Sequence, residues 1–179
     1  SFPYLISIHD MIKDTDISLS AQDVDHVSMG AYTGHIPPKM LLEVGCTFVI
    51  VGHSELRKYQ TFPIIHQKVD AALKSGLKVI LCVGERAEQK AVNQTYNVLT
   101  NQIESALHGL DEETVKNNLS IAYEPVWAIS SQNPVTPPTP EEINIITKKI
   151  RSIVEGKLNK EVSDTVRILY GGSVKADSI

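Results

Sequence analysis

The 179 residues are 42% hydrophobic, enough for one compact domain with a real core and too few for two. A net charge of −4, spread over 17 basic and 21 acidic residues with no block of like sign, argues against nucleic-acid or membrane-surface binding and leaves a small molecule as the expected ligand. The two cysteines, Cys46 and Cys82, lie in apolar runs as reduced core thiols do, no apolar run approaches the roughly 20 residues of a membrane helix, and no basic-plus-apolar leader opens the chain, so a cytoplasmic protein is expected.

Along the chain, Phe2-Pro3-Tyr4 reads as a strand-to-helix turn, followed by a helix that ends near Lys13. Ile17–Ser20 is the first short β-branched run, and therefore the first strand. Pro37–Val44 has helical spacing, with proline suited to the first turn and Gly45 just past the end. Phe48–Val51 is the second strand, Phe62–Ser75 the next helix, closed by Gly76, and Val79–Val83 the third strand. Val92–Leu107 is helical and stops before Gly109, and Ser120–Tyr123 is the fourth strand. Ser130 to Pro140, rich in Ser, Pro and Thr, is a loop, after which Pro140–Leu158 is a helix and Val166–Tyr170 the fifth strand. Near-continuous apolar strands alternating with helices predict an α/β fold whose parallel sheet is covered by helices, in a single domain spanning 1–179. A closed barrel and an open doubly wound sheet satisfy this pattern equally.

The strands end in reactive words: Ala21-Gln22-Asp23, Gly52-His53-Ser54-Glu55, Val83-Gly84-Glu85, Tyr123-Glu124-Pro125 and Tyr170-Gly171-Gly172-Ser173. In parallel βα architectures the loops at those ends converge on a ligand, so polar residues recurring there are candidates for chemistry. Taken alone, His53 reads more readily as a structural histidine and Glu124 as a turn acid. The longer words decide otherwise. Gly30-Ala31-Tyr32-Thr33-Gly34, Ile50 to Glu55, Ile80 to Glu85, Ala122-Tyr123-Glu124-Pro125-Val126-Trp127-Ala128-Ile129 and Ile168 to Val174, in this order and spacing, resemble triosephosphate isomerase over essentially the whole chain.

The resemblance implies a TIM-barrel type fold, a small phosphorylated triose as substrate, and no cofactor or metal. Glu124 is similar to the family's general base and His53 to its neutral electrophile, roles for which this family is a standard illustration. Glu55 matches the acid that supports the site's hydrogen bonds. Gly171, Gly172, Ser173 and Ser130 match positions whose groups approach the phosphate, and Pro125, Val126, Trp127 and Tyr170 match the hinge and latch of a closing lid. Glu85, His26, His66 and His108 read as ordinary polar groups. Aligned on the motifs, the chain spans the family's third to seventh strands, which implies an incomplete barrel of about five parallel strands against the usual eight. The family's Asn-x-Lys and its last phosphate glycines have no counterpart in these residues. Its Gly-Thr-Gly-Lys lid run reads Ser130-Ser131-Gln132-Asn133, and its intersubunit Glu and Arg read His35 and Leu56. The resemblance therefore implies weak or undetectable turnover by this chain, and self-association through open sheet edges in place of the family's usual dimer.

Overall fold

The computed structural model describes residues 1–129 and 137–174. Five strands, β1 (Ser20–Ala21), β2 (Phe48–Val51), β3 (Lys78–Val83), β4 (Leu119–Tyr123) and β5 (Arg167–Tyr170), form one sheet in the order β1-β2-β3-β4-β5. Every neighbouring pair is parallel. The expected sequential, parallel order is thus observed as a partial barrel wall, and β1 and β5 are its two edges among the described residues. The first strand is shorter and later than expected: Ile17 is 65% exposed and lies outside β1. A β-branched run makes a strand only where a neighbour pairs with it, and β2 engages β1 only at Ser20 and Ala21.

The helices are α1 (Leu5–Ile12), α2 (Pro38–Glu43), α3 (Ser54–Arg57), α4 (Phe62–Lys74), α5 (Ala87–Ala91), α6 (Thr95–Ala106), α7 (Glu112–Asn118), α8 (Pro140–Lys157) and α9 (Lys160–Thr165). Four of these, α3, α5, α7 and α9, were not expected. They are short, and their periodicity is too brief to read, but α7 and α9 open on the Asp and Asn side chains that favour N-caps. Asp111 accepts from the Thr114 amide at the head of α7, and Asn159 from the Val162 amide at the head of α9. The helix expected over Val92–Leu107 is observed as α6 and begins three residues late, because Asn93 adopts a left-handed φ of 57° that a continuous helix cannot hold. α8 starts where expected, with Pro140 in its first turn and a reciprocal Thr139–Glu142 capping box.

Strand alternation sorts the sheet into two faces. One carries Val49 with Val79, then Val51, Leu81 and Ile121, all 0% exposed, against Ile65 and Val69 of α4, Leu99 and Ile103 of α6, and Ile150 and Val154 of α8. This face and its helices are the core. The opposite, concave face carries Ile50, Ile80, Ser120 and Arg167 in one row and Cys82, Ala122 and Leu169 in the next. Its first row is half-buried to exposed. A buried ion pair ties the loops together at the C-terminal rim: the Lys68 ammonium, on α4, donates to Asp23 at 3.0 and 2.8 Å, and Gln60 adds a third hydrogen bond. No helix among the described residues is long and apolar enough to cross a membrane.

Candidate active site

The concave face closes at its C-terminal end around Glu124. The residue follows β4, its amide donates to the Val83 carbonyl at 2.7 Å, and only 7% of it is exposed. Glycines stand on both sides. A Cβ on Gly84 would lie 1.9 Å from the Glu124 carbonyl oxygen, and one on Gly171 would meet the Glu124 side chain at 3.6 Å. Any other residue at 84 would push the β4 exit away, so Gly84 sets where the carboxylate stands.

His53 reaches the same point from β2. Gly52, with φ +76°, turns the chain so that His53 can sit at the N-cap of α3. Its Nε2 lies 2.8 Å from Glu124 Oε1, while the Glu55 amide, 3.4 Å away, points at Nδ1. An amide N–H aimed at Nδ1 needs a lone pair there, which leaves the ring proton on Nε2 and makes the imidazole the donor to the carboxylate. The Ser54 amide approaches the other carboxylate oxygen at 3.4 Å. The geometry is therefore a shielded carboxylate in line with a neutral imidazole, an arrangement that can take a proton from carbon and give a hydrogen bond to oxygen.

Beneath the pair lies Arg57, two residues after Glu55 and near enough along the chain to form a surface pair with it. It is instead turned inward: its Nη2 donates to the Cys82 carbonyl at 2.6 Å, and burial lowers its pKa to about 10. Burial, then the charge of Glu124, pushes the Cys82 thiol up to about 12. The Glu55 side chain is 72% exposed and its carboxylate is 3.8 Å from His53 Nδ1, so its backbone amide makes the closer contact with the ring.

Glu85, to which the sequence assigned nothing, is 1% exposed. Tyr123 donates to both of its oxygens at 3.2 Å and the Trp127 indole N–H to one at 2.8 Å. The carboxylate therefore orients the short 3₁₀ turn Val126–Ala128 that leaves the site. An acid directly after Val83-Gly84 at a strand end was the available signal; only its buried partners reveal the role.

On the β5 side, the Gly171 amide is already used, donating to Tyr123 O at 2.8 Å. Ser173 Oγ donates to Ala128 O at 3.1 Å, joining the β5 loop to the same turn. The Gly172 and Ser173 amides make no backbone hydrogen bond with described residues. Gly172 packs against the Tyr170 ring, whose hydroxyl is buried without a partner among the described residues. Ser130 lies outside the described residues. A cavity of about 830 Å³ adjoins the pair, lined by Ser54, Arg57, Gln60, Gln102 and Trp127 among others, but neither His53 nor Glu124 lines it.

The loop that carries His35 is held onto Asp25. His35 Nδ1 lies 2.5 Å from one oxygen of Asp25 and His26 Nδ1 3.0 Å from the other. The hydrogen bonds from His35 and from the His26 and Val27 amides hold the Asp25 carboxyl below its usual range against the opposing effect of burial. No group of three or more potential metal ligands occurs among the described residues.

The protein-family model for triosephosphate isomerase matches residues 1–179. Triosephosphate isomerase of Caldanaerobacter subterraneus subsp. tengcongensis is 43% identical over 180 residues, covering 99% of this chain and 71% of the relative. The enzyme of Geotalea uraniireducens is 39% identical over 180 residues, covering 99% of this chain and 70% of that one. The enzyme of Aquifex aeolicus is 43% identical over 166 residues, 92% of this chain and 65% of the relative.

Proposed function

The chain belongs to the triosephosphate isomerase family, and on that premise we propose that it carries the family's isomerase site, interconverting dihydroxyacetone phosphate and glyceraldehyde 3-phosphate slowly. The supporting observation is the 2.8 Å contact between His53 Nε2 and Glu124 Oε1, with the Glu55 amide on Nδ1. Glu124 removes a proton from the carbon beside the carbonyl while the His53 N–H stabilises the oxygen of the resulting enediolate. Glu124 then returns the proton to the neighbouring carbon, and His53 Nε2 gives its proton to one oxygen of the enediolate and takes one from the other, so that carbonyl and hydroxyl exchange places. A substrate must enter between the two groups and replace their mutual hydrogen bond. The Gly172 and Ser173 amides are the phosphate donors on the β5 side. Ser130, from outside the described residues, belongs to the same proposal, with Pro125, Val126, Trp127 and Tyr170 as hinge and latch.

Turnover is expected below the typical enzyme value of about 10 per second, because among the described residues few preorganised donors face the substrate's phosphate. The exposed concave row and the strand edges β1 and β5, unpaired among the described residues, favour self-association of the 179-residue chain, with a second copy as its partner. In a coupled assay, Glu124→Gln should reduce triose phosphate isomerisation at least about a hundredfold, the lower bound for removing a general base. Turnover that survives this substitution, or none in the unsubstituted chain, would overturn the proposal.

A further inference from the structure

Trp127 is held by more than Glu85. The Lys90 ammonium stands 3.4 Å from the centroid of the indole ring, over its face. The same nitrogen lies 3.6 Å from Glu142 Oε1, and the other Glu142 oxygen accepts the Thr139 amide at 2.8 Å, closing the α8 cap. One side chain on α5 thus joins the turn leaving β4 to the first turn of α8. The indole is fixed at its edge by the N–H bond to Glu85 and on its face by a cation, which the ring quadrupole attracts. Edge and face together leave the ring one orientation. α5 is built to deliver the lysine: the Gln89 side chain accepts the Arg86 amide at its start, Lys90 sits in its last turn, and the left-handed Asn93 stops it just beyond.

We propose that Lys90 is a positioning residue that clamps Trp127 and couples the Val126–Ala128 turn to α8 through Glu142. Its effect on turnover rests on the isomerase reading above; the clamp itself does not. Trp127 is the only tryptophan of the chain, so tryptophan fluorescence reports on this ring alone. Lys90→Met keeps the stem and removes the charge from a side chain that is 42% exposed. It should raise the acrylamide quenching constant of Trp127 about twofold and shift its emission to the red, as loss of a cation seated on the ring face requires. Glu142→Gln should move both in the same direction by less, and Lys90→Arg should match the parent. Parent-like fluorescence in Lys90→Met, or Lys90→Arg behaving as Lys90→Met does, overturns the clamp. Should Lys90→Met lose its circular-dichroism signature of folding, Glu142→Gln decides, and parent-like quenching there overturns the coupling to α8. In the isomerase assay, Lys90→Met should lower kcat about fivefold with KM little changed, the pattern of a misplaced hinge. An inactive parent would refute the isomerase reading and leave the fluorescence result to judge the clamp.

Discussion

The two faces of the sheet are made by the same strands and the same alternation, yet they have different fates. Val51, Leu81 and Ile121 on the helix-covered face are 0% exposed, whereas Leu169, one residue from the equivalent row, is 41% exposed. The concave face is itself uneven. At its lower row Ile50, Ile80 and Ser120 are half-buried, while towards the site Cys82 and Ala122 are 6% and 7% exposed. Dryness on that face is therefore local. Arg57, Glu124 and the loops above them cover it, and no helix layer among the described residues does. A sheet face can be hydrophobic in pattern without being core; what makes core is a partner layer.

The largest expected effect tests the covered face. Ile121→Ala should cost about 4 kcal/mol in urea unfolding followed by circular dichroism, because its helix neighbours cannot collapse into the space. Ile80→Ala on the concave face should cost under about 1.5 kcal/mol, since a half-buried side chain leaves no closed cavity. Equal losses at the two positions would show that the concave face is as well covered as the convex one.

Alkaline pH sharpens the contrast within the concave face. The Cys82 thiol is raised from 9.0 to about 12 by burial, so folding favours its protonated form. Its contribution is complete below pH 9.0, the unfolded value, and is lost as pH rises from there towards about 12. At pH 10 the parent should have lost about 1.4 kcal/mol that a Cys82→Ala chain does not lose, measured as the difference between their stability profiles. Superimposable profiles would mean that water reaches the thiol.

The smallest effect on stability belongs to the open edge. Leu169→Asn should change unfolding by less than about 0.5 kcal/mol. It should nonetheless weaken concentration-dependent association in sedimentation velocity, since it places an amide in the exposed apolar row. Unchanged association would assign the contact between copies to another surface.

Local reading went far with this chain. Four of the five strands were legible to within a residue because their β-branched runs are bounded by glycine and polar words, and α8 was legible from its helical spacing and from Pro140 at its first turn. His53 and Glu124 were legible as a pair only through the longer motifs; neither residue type is distinctive by itself. Short helices such as α3 escaped because four residues carry no period. β1 shrank because pairing is decided by the neighbouring strand.

What the sequence determined by itself is the alternation of strands and helices, hence the parallel sheet, and the polar words at the strand ends. Both follow from periodicity and turn chemistry within a few residues. Only the tertiary structure decided that Glu85 holds Tyr123 and Trp127, that Arg57 lies beneath the site rather than beside Glu55, and that His35 is turned onto Asp25. Those contacts join residues 10 to 42 positions apart. A buried charge takes whatever partner the packing brings to it, because an unpaired one costs several kcal/mol, about as much as a whole side chain's burial.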